Sequence, residues 1–168
     1  DASAPTELLV GINAAFSTGF SDGFVDLGGA AVNAFLGDVV IGRKSGPFPF
    51  DATGYVEGGN NGTIQIGSIV SPASVLVGLS TDTGPADGTL DLIGQTALNA
   101  YLTHMRIGVS TAGNATGIVR LPQTSMIDAD EIVVGDNGDA TLELGQVNTL
   151  DGGELRVARG DSEAEVGI

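Results

Sequence analysis

Six times along the chain a short apolar string recurs, five times closed by glycine. It reads Leu8-Leu9-Val10-Gly11, Val39-Val40-Ile41-Gly42, Val75-Leu76-Val77-Gly78, Met105-Arg106-Ile107-Gly108, Ile132-Val133-Val134-Gly135 and Leu155-Arg156-Val157-Ala158. The starts at 8, 39, 75, 105, 132 and 155 lie 31, 36, 30, 27 and 23 residues apart. A second string alternates with this string A. String B reads Val25-Asp26-Leu27-Gly28, Ile64-Gln65-Ile66-Gly67, Leu90-Asp91-Leu92, Val119-Arg120-Leu121, Leu142-Glu143-Leu144-Gly145 and Ala164-Glu165-Val166-Gly167. Self-similarity at periods of about 20–50 residues marks stacked supersecondary units, each unable to bury its own apolar face.

Both strings alternate with period two, which specifies strands rather than helices. In Leu-Asp-Leu and Leu-Glu-Leu two aliphatic side chains face one way and the acid the other. A weaker third segment precedes most A strings: Val32-Asn33-Ala34-Phe35, Ala97-Leu98-Asn99-Ala100, Ser125-Met126-Ile127-Asp128 and Val147-Asn148-Thr149-Leu150. The B-to-A stretches hold nearly constant length and the A-to-B stretches vary, so insertions are expected on one edge. The longest is 43–62, whose Pro47-Phe48-Pro49-Phe50 and Tyr55 suggest a flap over the stack. There are 27 glycines in 168 residues, about twice the ordinary share of roughly 7%. Where a glycine closes a string it lets the backbone turn a corner with positive φ.

These patterns predict an all-β fold: a parallel β-solenoid, or β-helix, of about six coils with two to three short strands per coil and variable loops on one edge. Residues 1–168 read as one domain.

The pattern resembles secreted bacterial surface repeats and the passenger-type β-helices of autotransporters. The resemblance is carried best by Glu131-Ile132-Val133-Val134-Gly135, Ala140-Thr141-Leu142-Glu143-Leu144-Gly145, Asn148-Thr149-Leu150 and Leu155-Arg156-Val157, and it degenerates toward the N-terminus. It implies an architecture and a cell-surface setting, with no catalytic residues to carry over.

Charge and composition bound the function. A net charge of −15, from 21 acids against 6 bases, repels nucleic acid and anionic membranes. No apolar run approaches the roughly 18 residues of a membrane span. Cysteine is absent, which removes disulfides and thiolate metal sites. The start Asp1-Ala2-Ser3-Ala4-Pro5 fits either a mature end left by signal cleavage or an arbitrary boundary.

The central residues of string A point outward, and Leu9, Val40, Leu76 and Val133 form an apolar stripe among them. Such a stripe is expected to meet a partner or to lie beneath the 43–62 loop. With Val166 and Ile168 at the last coil, these residues make the expected assembly interface. The expected partner is another copy of the chain, in a homo-oligomer or filament joined end to end and side to side. A surface polysaccharide bound by the edge loops is the alternative, which would make the chain an adhesive or carbohydrate-binding module. The expected location is extracellular or at the cell surface.

No cofactor is expected. Asp136, Asn137 and Asp139 crowd oxygen donors into a tight loop that suits Ca²⁺, and Asp82 and Asp87 flank another; these are also ordinary turn formers. The spacing matches neither an EF-hand nor a nonapeptide calcium coil. A polysaccharide lyase or hydrolase would use His104, Arg106 and Arg120, expected near one another on adjacent strands, with Asp91 and Asp130 close by. Outward charges on such a fold more often only solvate it, so the chain is expected not to be an enzyme. Asn61-Gly62-Thr63 and Asn114-Ala115-Thr116 match the glycosylation sequon.

Overall fold

The computed structural model describes residues 6–14, 19–28 and 31–168. The reading of residues 1–5 as a processed end falls outside them. The described chain forms strands and no helix. In order they are β1 (Thr6–Asn13), β2 (Ser21–Asp26), β3 (Ala34–Lys44), β4 (Ala52–Glu57), β5 (Thr63–Ile66), β6 (Ala73–Ser80) and β7 (Ala86–Asp91). Then follow β8 (Ala97–Ser110), β9 (Ala115–Arg120), β10 (Thr124–Asp136), β11 (Asp139–Glu143), β12 (Val147–Arg159) and β13 (Ala164–Gly167).

The strands make two parallel sheets. The first runs β1-β3-β8-β10-β12, with β5 and β6 both lying between β3 and β8. The second runs β2-β4-β7-β9-β11-β13. Parallel neighbours cannot be joined by a tight hairpin and need a crossover. Here the crossover out of each sheet is a strand of the other.

Register stacks the repeats. String A lines up as Leu8, Val39, Val75, Met105, Ile132 and Leu155, and two residues on as Val10, Ile41, Val77, Ile107, Val134 and Val157. The third segment runs straight into string A in β3, β8, β10 and β12, so the two share one sheet rather than making separate sides. The core lies between the two sheets, with Ile41, Val77, Ile107 and Val134 fully buried. Burying each such side chain contributes about 1.5–3 kcal/mol.

Three expectations are corrected. Ile64-Gln65-Ile66 is not the second copy of string B. It is the missing copy of the third segment, paired with Ala34–Leu36 on one side and Leu98–Ala100 on the other. Its expected place is filled by β4, inside the presumed 43–62 insertion, so that stretch is no flap. Val56 continues the inward column Val25, Val56, Leu90, Val119, Leu142 and Val166. Nor are insertions confined to one edge. Residues 67–72 interrupt the first sheet between β5 and β6, where Ser68 and Ser71 bridge and raise Ile69 and Val70 into solvent.

One glycine column runs down the second sheet. Gly23, Gly54, Gly88 and Gly117 are in register on the second sheet. Each faces the string A glycines so closely that a Cβ on Gly88 would stand 2.3 Å from the Gly78 nitrogen. β4 shares Ala-x-Gly-x-apolar with β7 but is hard to see because it continues Val56-Glu57-Gly58 where β7 continues Leu90-Asp91-Leu92.

Candidate interaction surfaces

On the outer face of the first sheet, Leu9, Val40, Leu76, Arg106, Val133 and Arg156 do form one column in register. The column is not the exposed stripe that the sequence suggested. Val133 is 4% exposed and Val40 6%, Leu76 is half-buried, and Leu9 alone of the four is open at 55%. The 43–62 stretch does not cover them, since β4 belongs to the other sheet. At Val133 and Leu76, arginine stems and a second outward column do. Val133 lies between Arg106 and Arg156. Both reach back to Glu131, at 3.0 and 3.2 Å, and Arg156 also holds Glu154 at 2.7 Å. Long basic side chains cover apolar surface with their methylenes while the charge stays in water. The left-handed glycine also turns the next residue outward, which sets Leu79 and Val109 beside Val133 and Leu76 in a small second cluster.

The residues weighed as catalytic are not brought together. His104 and Arg106 lie on β8 and Asp130 on β10, in the first sheet, whereas Arg120 and Asp91 lie on β9 and β7 in the second. Arg120 bonds Asp91 and Glu143, each at 3.2 Å, in a charge ladder. His104 sits between Ser74 and Glu131 in register. Its imidazole is held below its ordinary range, by partial desolvation first and then by Arg106, against Glu131 and Asp38. The folded state therefore disfavours the charged ring. Stability from this group is complete above the unfolded value of about 6.5 and declines as pH falls through the folded one. The chain holds one His, so a single imidazole resonance reports it. In an NMR titration the midpoint is expected below that of a model peptide; one at or above it would contradict this geometry.

At the candidate calcium loop, Asp136 faces Arg159 at 3.6 Å, Asp139 accepts the Glu163 amide at 3.2 Å, and Asn137 donates to the Asp136 carboxylate at 3.3 Å. Asn137 adopts a left-handed φ of 54°. These contacts are those of a turn. Among the described residues no three His, Cys, Asp or Glu side chains group to hold a metal. No helix is long and apolar enough to cross a membrane. Asn61 and Asn114, of the sequons, are exposed.

At the C-terminal rung the inward columns are open. Leu155, Val157 and Val166 are 53, 43 and 37% exposed, and Ile168 is 97% exposed. One rung earlier Ile132, Val134 and Leu142 are 3, 0 and 0% exposed.

Two features had escaped the sequence patterns. One is a column of buried polar residues where string A enters its loop: Asn13, Lys44, Ser80 and Ser110. Each bonds loop carbonyls. Asn13 donates to Gly19 and Asp51, Lys44 to Gly46, Ser80 to Asp82 and Gly84, and Ser110 to Gly113. The signal was there, in the polar residue two places after each glycine. The other is the gathering of aromatic rings at the first two rungs. Phe24 stacks on Tyr55 at 5.2 Å between ring centres, and Phe20 meets Phe50 edge-on at 5.6 Å.

No family model, curated protein or solved structure matches the chain.

Proposed function

We propose that the chain is a parallel β-solenoid of six coils, a non-catalytic structural rod of the cell surface or extracellular space that joins end to end with copies of itself. The observation that carries this reading is the stack itself: each rung's aliphatic columns are closed by the rungs beside it. Leu155, Val157 and Val166 continue the aliphatic stacks, which are closed from the second rung to the fifth and only half-buried at Leu8 and Val25 of the first. A rung of a second copy laid on β12 and β13 would bury them and pair their free edges. Such a contact joins unlike surfaces and does not close, so it extends into filaments. The dispersed charged residues support a scaffold over a catalyst, since His104 and Arg106 share no sheet with Arg120. An acidic, cysteine-free chain with its charges laddered outward suits a salt-bearing medium, where cations screen the carboxylates.

Sedimentation velocity over a concentration series tests the reading. The 168-residue chain is expected to grow into longer species with concentration. Val157→Asp with Val166→Asp is expected to leave it monomeric with unchanged circular dichroism, because both sites are open in the single chain. A wild-type chain that stays monomeric at every concentration, with and without calcium, would sink the proposal.

A further inference from the structure

The described aromatic residues are unevenly placed. Phe20, Phe24, Phe35, Phe48, Phe50 and Tyr55 all fall on the first two rungs, and Tyr101 alone lies beyond them. On the outer face of the second sheet this makes a distinct surface. Along β2 the outward positions are Asp22, Phe24 and Asp26, and Phe20 precedes them at the same spacing. In register below stand Thr53, Tyr55 and Glu57 of β4, then Asp87, Thr89 and Asp91 of β7. Neighbouring strands are about 4.8 Å apart, and alternate residues along a strand about 6.6 Å. Rings and carboxylates therefore interleave at side-chain spacing.

Two properties set this face apart. Its rings are open: Phe20 is 68% and Phe24 65% exposed. Its charge is of one sign. β2, β4 and β7 carry no Lys or Arg, and the nearest base in register, Arg120, is already bonded to Asp91 and Glu143. Among the described residues no Lys or Arg pairs with Asp22, Asp26, Glu57 or Asp87. Tyr55 registers the same environment. Its phenol is raised above the ordinary value by desolvation first and then by Glu57 and Asp91.

We propose that this face of the second sheet is a docking surface for an extended basic peptide segment, whose Arg or Lys side chains lie against Phe24 and Tyr55 and pair with the surrounding carboxylates. Cations bind over aromatic faces, Arg most often, and more strongly where carboxylates complete the pairing. Charge complementarity selects this occupant. An anionic polymer would be repelled, and a neutral one would leave four carboxylates without a counter-charge. An extended chain presents alternate side chains at the same spacing as the face offers. The surface stands whether or not the ends of the chain associate.

Fluorescence anisotropy with a labelled hexa-arginine peptide tests it. Binding is expected to weaken with salt, about tenfold for Asp22→Asn with Asp26→Asn, and roughly threefold to tenfold for Phe24→Ala with Tyr55→Ala. The control is Asp128→Asn with Asp130→Asn, which removes the same charge from exposed sites on the first sheet. It is expected to change affinity by less than about twofold. If the control weakens binding as much as Asp22→Asn with Asp26→Asn, attraction is diffuse and the site does not exist. If hexa-arginine does not bind and cellohexaose does, in a way that needs Phe24 and Tyr55, the face is a sugar platform and the proposal fails. Circular dichroism of each variant shows that a loss is not unfolding.

Discussion

Gly88→Ala is expected to cost about 3 kcal/mol or more, in a fold whose whole stability is about 5–15 kcal/mol. The added methyl would stand 2.3 Å from the Gly78 nitrogen and 2.4 Å from the Ile41 carbonyl oxygen. Both are backbone atoms of the opposite sheet, so relief requires moving strands rather than turning a rotamer. The same contact recurs at Gly117, against the Gly108 nitrogen at 2.3 Å and the Val77 oxygen at 2.4 Å. The effect is steric, because Gly88 lies outside the left-handed region, whereas Gly42, Gly78 and Gly108 have φ of 63°, 66° and 59°. For a chain this long the loss lowers the unfolding midpoint by roughly 6–12 °C. Thr116→Ala, at an exposed neighbour of Gly117, is the control and is expected to shift it little. The opposite sign is expected at Ala158, held at a φ of 52°. Ala158→Gly relieves that strain, at some cost in unfolded-chain entropy, for a net gain of up to about 1 kcal/mol. A Gly88→Ala protein that melts with wild type would mean that the sheets do not approach as described.

Much of this architecture was legible because it repeats. All five string A glycines take a left-handed φ, and the sixth site, Ala158, keeps the conformation without the glycine. The parallel two-sheet arrangement and the register of string A were therefore readable from the sequence. The second rung was not, because two competing signals overlapped. Ile64-Gln65-Ile66-Gly67 carries string B chemistry but lies in the first sheet, and β4 carries string B position with a glycine where an aliphatic was sought. Chemical likeness misled there, and the Ala-x-Gly-x-apolar-acid pattern shared by β4 and β7 would have corrected it. The surface was read less well. Alternation says that Val40 and Val133 point outward, and they do. It does not say what lies over them, which at Val133 is set by arginine stems and by the outward residues supplied after the glycine corners. Nor does sequence distance show that Arg106 and Arg120 stand on different sheets.

Lys44→Ala is expected to destabilise by about 3 kcal/mol, within the range for truncating a large buried side chain. Lys44 is 0% exposed. A buried cation is costly unless it is paired or bonded, and no carboxylate pairs with this one among the described residues. Its ammonium donates to the Gly46 carbonyl, and its methylenes lie against Gly84, where a Cβ would stand 2.6 Å from Cε. The rest of the column shows why a lysine belongs here. Ser110 closes the loop at 111–114 and Ser80 the loop at 81–85, each through its own hydroxyl. The loop after β3 runs over 45–51 and is longer than the other two. A longer side chain spans the gap, and carbonyl dipoles solvate the charge that comes with it. Lys44→Met separates the two contributions by keeping the methylene volume and deleting the donor. It is expected to cost about 1–2 kcal/mol, the penalty for an unpaired buried carbonyl. Lys44→Ser, which suits the neighbouring rungs, is expected to fall near the alanine value, because it lacks the methylenes that lie against Gly84. Denaturant unfolding of the three variants decides the matter. If Lys44→Met and Lys44→Ala both match wild type, the ammonium does not brace the 45–51 loop. If Lys44→Ser alone matches, the loop length is not what selects the lysine.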